Sequence, residues 1–183
     1  ICLCCLGERM NTLISVSKFV IKAFIGIAIA GALFIFAMGF ADGPWGVVPG
    51  GAFSESAQPA PQDWSFTKDL DTVEFQLIDP VSSRTSWIME HNNRVFIPSG
   101  YMNSTVGKVW KHWPMHAEKN GTALLRIDGK AYRVTLERTK NPELLRPVMG
   151  ELARKYMSAQ PPLDTMLNEV QSNNLWVFEL VRR

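Results

Sequence analysis

The densest group of side chains suited to binding a ligand lies in a short stretch near the middle of the chain. Lysines suit an anionic group, and indoles suit the face of a planar ring. The stretch therefore predicts one wall of a binding pocket. The alternative is an ordinary surface helix whose tryptophans cover the core while its lysines are solvated. The residues of the stretch are Lys108, Trp110, Lys111, His112, Trp113 and His116.

A metal site in this stretch has less support. His112 and His116 have the i, i+4 spacing of a two-ligand site, but Pro114 between them disfavours one continuous helical turn. Glu118 is the one further ligand nearby in the sequence. We therefore predict no metal. A single axial histidine on haem stays open, although no c-type attachment motif supports it.

All three cysteines, Cys2, Cys4 and Cys5, precede the first methionine, Met10. We interpret residues 1–9 as an artefact of upstream translation; a thiolate metal site or acylated cysteines are the alternative. From Met10 onward the sequence then offers neither a disulfide nor a thiol nucleophile.

The run 23–41 contains no charged side chain. At about 1.5 Å per residue, a helix of this length spans roughly the hydrocarbon core of a bilayer. Lys18 and Lys22 precede the run and Asp42 follows it. The positive-inside rule then predicts a single-pass protein with a cytoplasmic N-terminus and a periplasmic or extracellular C-terminal domain.

A cleaved signal peptide is the alternative, since Gly39 and Ala41 are small enough for a cleavage site. The apolar run is longer than a usual signal core, which favours an uncleaved anchor in contact with membrane lipid. Both alternatives export the rest of the chain.

The composition divides the chain into four parts: a tail (1–17), a transmembrane anchor (18–41), an extended connector rich in Gly, Pro and Ser (42–71) and a folded domain (72–183). Within the connector, Trp45 and Trp64 either lie at the bilayer interface or pack on the domain, and packing is favoured for Trp64.

Strand signals repeat through the folded domain. Alternation of apolar and polar residues predicts a strand at Thr72–Ile78 that ends at Asp79-Pro80. Two hairpins follow, one turning at His91-Asn92-Asn93 and one at Asp128-Gly129. The remaining predicted strands are 85–90, 94–97, 122–128, 131–138 and 175–182, and the predicted helices are 147–157, with Pro147 in its first turn, and, less strongly, 106–112.

Six short strands with few helices predict a mainly β fold with α, a closed or partly closed antiparallel barrel with flanking helices, preceded by one transmembrane helix. Several runs between about Val73 and Val181 resemble the flavin-binding split-barrel superfamily, which includes pyridoxamine-phosphate-oxidase-like and deazaflavin-dependent nitroreductase proteins, and the resemblance implies a six-stranded antiparallel split β-barrel. These runs are RTSW, VFIPSG, KVWKHW and the hairpin RIDGKAYRVTLER followed by a helix.

The resemblance implies a flavin or deazaflavin cofactor, and it makes a homodimer plausible. Where the deazaflavin branch has a loop rich in Gly and Lys, this chain has DPVSS at 79–83. The positions that match the cofactor site of that branch are Arg84, Thr85, Ser99, Gly100, Lys108 and Trp110.

Together these patterns predict a membrane-anchored protein that binds a planar cofactor or ligand. If it is catalytic, we expect a flavin-type oxidoreductase acting on a lipophilic substrate. The alternative is a non-catalytic accessory or assembly subunit of a membrane complex, whose helix packs on others through Gly26, Ala30 and Gly31. The net charge of +2 gives no reason to expect a nucleic-acid partner.

Overall fold

The computed structural model describes the backbone of residues 3–183 and the side chains of residues 16–183 other than Val106, Val109 and Trp110. Within this part, five α-helices and eight strands follow one another as α1 (Leu3–Met38), β1 (Gln58–Pro59), β2 (Thr72–Ile78), β3 (Val81–Trp87), β4 (Met89–His91), β5 (Arg94–Ser99), α2 (Thr105–Trp110), α3 (Trp113–Lys119), β6 (Thr122–Ile127), β7 (Lys130–Thr139), α4 (Pro142–Tyr156), α5 (Leu163–Gln171) and β8 (Trp176–Arg182).

Seven of the described strands form one antiparallel path in the order β3-β2-β6-β7-β8-β5-β4, and β1 adds in parallel to β7. The two ends of the path, β3 and β4, are separated in the chain by Ile88 alone. Since one extended residue advances the chain by only about 3.4 Å, the two edges of the sheet meet at Ile88. The sheet therefore curls into a half-barrel, and the fold is mainly β with α, as predicted.

The predicted count of six strands is wrong. Residues 79–83 do not form a loop, because Asp79-Pro80 makes a tight turn and Val81–Trp87 pairs with β2 from Ile78↔Val81 to Thr72↔Trp87. The single strand predicted at 85–90 is divided between β3 and β4. The hairpins formed by β4 with β5 and by β6 with β7 are confirmed.

Side chains from the end of α4 close the corner at Ile88. The Ile88 N–H donates to the Tyr156 hydroxyl over 3.0 Å, and the Lys155 ammonium donates to the Ile88 carbonyl over 2.9 Å. Lys155 also donates to the Leu70 carbonyl. The Tyr156 ring stacks on Trp87 at 4.6 Å between centroids. These contacts supply the hydrogen bonds that the sheet lacks where its edges meet.

The concave face of the sheet is filled by α3. The Trp113 ring lies 4.8 Å from Phe75 and 5.3 Å from Phe178, centroid to centroid, inside the larger core cluster. On the convex face, α4 and α5 cover Phe96 and Val177. Alternate residues of β5 and β8 therefore contribute to two separate apolar layers.

Two helices differ from the sequence interpretation. Helix α4 begins at Pro142, where the Asn141 side chain accepts a hydrogen bond from the Glu143 N–H at 3.0 Å, so Pro147 lies inside the helix rather than in its first turn. Helix α5 was not predicted; it packs Met166 onto α4. The short helix predicted near 106–112 is present as α2.

The N-terminal helix is apolar over most of its length. Its segment Val16–Met38 has a mean hydropathy of 2.5 and is not buried against the rest of the chain. By length and composition this segment can cross a membrane, as both the predicted anchor and the signal-peptide alternative require.

The connector after the helix contacts the edge strand β3, the face of β2 that carries Gln76, and the larger core cluster, which Trp64 joins. Gly50 and Ser83 exchange backbone hydrogen bonds of 3.1 and 3.0 Å, and the Phe53 N–H donates to the Gln76 side chain at 2.6 Å. Trp64 is buried, with its ring 6.0 Å from Phe66, which confirms packing rather than exposure for this tryptophan.

Candidate functional site

The segment between β5 and α3 is folded tightly by its own hydrogen bonds. The Ser104 hydroxyl donates to the Tyr101 carbonyl over 2.7 Å and accepts from the Gly107 N–H over 2.9 Å. A Cβ atom on Gly107 would lie 1.9 Å from the Tyr101 carbonyl oxygen, so only glycine fits here. This compact turn holds Lys108 and Lys111 on the first helical turns after β5.

Lys111 is a partly buried cation. Its ammonium donates to the Gly100 carbonyl at 2.8 Å and lies 5.7 Å from the centroid of the Tyr101 ring. Burial lowers the pKa of Lys111. In the described part of the chain no carboxylate forms an ion pair with Lys111 or Lys108. An anion bound at this position would therefore interact with a positive charge that no carboxylate of the described residues neutralises.

A cleft of about 230 Å³ opens beside these lysines, between α2, α3 and the start of β8. Its walls combine thioethers and an indole with lysine and asparagine side chains. The lining residues are Met102, Asn103, Gly107, Lys108, Lys111, Met115, Asn173 and Trp176.

Arg138 supports one wall of this cleft. Its guanidinium carbon lies 3.4 Å from the centroid of the Trp176 indole. The same guanidinium donates to Glu118 and to the Asn173 side-chain oxygen, each over 2.6 Å. The nearby carboxylate is thus neutralised by Arg138, so it does not cancel the charge of the lysines.

Arg84 approaches the concave face from β3. It lies directly opposite Phe75, and cross-strand partners in an antiparallel pair share a face. Phe75 in turn contacts Trp113, two residues beyond Lys111. The Nε atom of Arg84 is buried without a hydrogen-bond partner in the described residues, and burial lowers the pKa of Arg84. This second cation without an acidic partner among the described residues thus lies on the face of the sheet that carries Phe75, and it is not part of the lining of the cleft.

The structure brings some of the predicted site residues together and separates others. Ser99, Gly100 and Lys108 lie at or beside the cleft, with the Ser99 hydroxyl 3.4 Å from the Met102 sulfur. The Trp110 side chain lies outside the described residues. Thr85 points to the convex face, opposite to Arg84, because consecutive strand residues alternate.

Thr85 instead lines a second cleft, of about 400 Å³, on the convex face. Its central cation, Arg126, contacts Asp42 at 2.8 Å, Glu55 at 3.1 Å and Glu74 at 2.6 Å. Three carboxylates already neutralise this guanidinium, so we interpret the second cleft as a structural junction between connector and sheet.

His112 precedes the first residue of α3 and His116 lies within that helix. Among the residues that the structure describes, no group of three His, Cys, Asp or Glu side chains is arranged to hold a metal ion. In comparisons with known proteins the chain matches no family model, no curated protein and no solved structure.

Trp176 and Arg138 are site residues that sequence reasoning missed. Trp176 reaches the cleft because β8 pairs with β5, where it lies opposite Ser99. The alternation of Trp176, Phe178 and Leu180 did indicate one shared face, but not which strand would lie beside it.

Proposed function

We propose that the chain is a membrane-anchored split-barrel protein that binds a planar, anionic ligand of the flavin or deazaflavin type in the cleft beside Lys111. The observation that carries the proposal is Lys111, a partly buried cation that has no acidic partner among the described residues and lines a cleft with apolar and aromatic walls. Placing cations in a partly buried position is unfavourable unless a negative charge joins them.

The residues present fit one anionic group and one face of a ring. Lys111 and Lys108 would contact the anion, and Trp176 with Met102 would contact the ring. The cleft volume of about 230 Å³ is smaller than the ~300–1,000 Å³ typical of small-molecule sites. In this proposal a second copy of the chain would extend the enclosure, in keeping with the homodimer that the resemblance makes plausible.

A bound flavin-type ring would supply hydride or electron transfer, whereas the protein would supply binding and orientation. The anchor would keep the cleft near the membrane, where a lipophilic substrate is concentrated. In this proposal the N-terminus is cytoplasmic, and the folded domain lies on the opposite side, as the lysines before the helix favour.

The test is ligand binding by the full-length chain in mild detergent. The absorption spectrum of the purified protein is recorded first, and flavin mononucleotide and riboflavin are then titrated while flavin fluorescence is followed. We expect the phosphorylated flavin to bind more tightly. Because a hydrogen bond to a charged group contributes about 1.5–3 kcal/mol, we expect Lys111→Ala to raise Kd by about 10- to 100-fold.

Lys140→Ala is the matched control, since Lys140 is exposed and lies outside the cleft. An equal Kd for Lys111→Ala and Lys140→Ala would refute the site. A colourless preparation that binds neither flavin and co-purifies with other membrane subunits would instead support the accessory-subunit alternative. That alternative is consistent with Gly26 and Gly31, whose positions on the helix are open to a neighbouring helix.

A further inference from the structure

A tight turn at residues 45–48, shortly after the N-terminal helix ends at Met38, exposes large apolar side chains. Trp45 and Val48 form an isolated β-bridge around Gly46, whose φ is +58°. Trp45 is 68% exposed and Val47 is 88% exposed, in contrast to Trp64 at 1%. Phe40, between helix and turn, is 79% exposed. The folded domain therefore leaves this apolar surface uncovered.

The turn bends back beside the helix rather than pointing away from it. The ring of Trp45 lies 5.8 Å from that of Phe34, centroid to centroid. Phe34 is four residues before the helix end at Met38, which is about 6 Å along the axis. If the helix crosses a bilayer, Trp45 then lies at the depth of the interface on the side of the folded domain.

Charge along this part of the chain suits such a position. Between Lys22 and Glu55 the only charged residue is Asp42. Asp42 accepts hydrogen bonds from Ser54 at 3.0 and 2.7 Å and forms an ion pair with Arg126 at 2.8 Å. The charge is thus compensated within the protein, which reduces the cost of bringing it close to lipid.

We propose that the turn 45–48 is a second membrane contact, inserted into the interfacial zone of the bilayer next to the helix. Tryptophan is enriched at this depth because its ring is apolar and its N–H is polar. The proposal rests on the membrane anchoring stated above. The occupant of the exposed apolar surface is lipid, since the surface is continuous with the membrane-spanning segment.

Short contacts couple this turn to the rest of the domain. Gly51 donates to the Ala41 carbonyl at 3.1 Å, and Gly50 pairs with Ser83 on β3. A Cβ atom on Gly51 would lie 2.4 Å from the Gly39 carbonyl oxygen. Insertion of the turn would therefore fix how the half-barrel is oriented on the membrane surface, which a single helix cannot do.

The test uses the full-length chain with Cys2, Cys4 and Cys5 replaced by serine. Val47→Cys is labelled with an environment-sensitive fluorophore in phosphatidylcholine vesicles, and Lys140→Cys is the control. Lys140 directly follows β7, and Ala131 lies near the other end of that strand. Ala131 pairs with Arg126, and about 30 Å along the strand separate Ala131 from Lys140. We expect a blue-shifted emission and about threefold or more weaker iodide quenching at position 47 than at 140.

Quenching by lipids that carry the quencher near the headgroup should exceed quenching by lipids that carry it near the chain end. Equal iodide quenching at both positions, in protein that resists alkaline carbonate extraction, would overturn the insertion of the turn and leave the anchor intact. Release of the protein by carbonate would overturn the anchor and the inserted turn together.

Discussion

The corner at Ile88 allows a quantitative test of how the half-barrel is held together. Tyr156→Phe removes one hydroxyl and keeps the ring that stacks on Trp87. The Ile88 N–H, in a residue with 0% exposure, then loses its partner. The Ile88 carbonyl keeps its hydrogen bond from Lys155, and the Asp71 carbonyl, which also contacts the hydroxyl at 2.7 Å, belongs to an exposed residue.

The energetic cost is therefore that of one buried, unsatisfied N–H. Such a group destabilises a folded protein by about 1–3 kcal/mol. For a urea m-value of about 2 kcal/mol/M, a loss of about 2 kcal/mol lowers the unfolding midpoint by about 1 M. The measurement is urea unfolding of the full-length chain in detergent, followed by near-ultraviolet circular dichroism.

Tyr101→Phe is the matched control, because Tyr101 is exposed and contacts Lys111 through its ring, which the substitution keeps. We expect this control to remain within about 0.5 kcal/mol of the wild type. If the free energy of unfolding of Tyr156→Phe also stayed within about 0.5 kcal/mol of the wild type, the Tyr156 hydroxyl would not be the required partner of the Ile88 N–H. Our account of how the sheet edges are joined would then be refuted.

Three further predictions concern the clefts and the connector. Burial lowers the pKa of Lys111, so anion binding should be present at low pH and lost as the pH rises through that lowered pKa. Lys111→Arg should retain anion binding up to about pH 10, because the guanidinium stays charged. If both proteins lost binding over the same pH range, Lys111 would not be the cation that binds the anion. Arg126→Met leaves its three carboxylates without their cation and should cost about 1–2 kcal/mol, since all are partly solvated, while limited proteolysis detects faster cleavage in the connector. Gly43→Ala places a Cβ atom 1.9 Å from the Arg126 guanidinium at a φ of +84°, whereas the Cβ atom of Gly46→Ala, at a φ of +58°, has no atom within 4 Å. Gly43→Ala should therefore have the lower midpoint of thermal unfolding. Equal midpoints would show that the close approach is relieved without cost.

The parts of the fold that follow from local patterns were predictable from the sequence. Alternation identified β2, β7 and β8, and Asp128-Gly129 identified a hairpin. Strand β3 was not predictable in this way, because most of the residues in Val81–Trp87 are polar. Its buried Ser83 is covered by the connector, a contact between distant segments that no local period reveals.

The candidate site divides in the same way. Ser99, Gly100 and Lys108 are close in the sequence and remain close in the structure. Interpreting 79–83 as a loop hid the fact that Arg84 and Thr85 belong to a strand and must point to opposite faces. Trp176 joined the cleft only through the pairing of β8 with β5. A site residue that lies on a strand distant in the sequence can be predicted only when the strand order is known.

The corner at Ile88 also bears on self-association. An open half-barrel has two edge strands, and unpaired edges invite pairing with another chain. Here β4 is only three residues long, and Gly50 occupies the backbone groups of Ser83 in the longer edge strand β3. Where the two edges converge, Lys155 and Tyr156 occupy the backbone groups of Ile88. The residues that join the two edges therefore also leave fewer free backbone groups for pairing with another chain, which disfavours edge-to-edge aggregation and strand exchange.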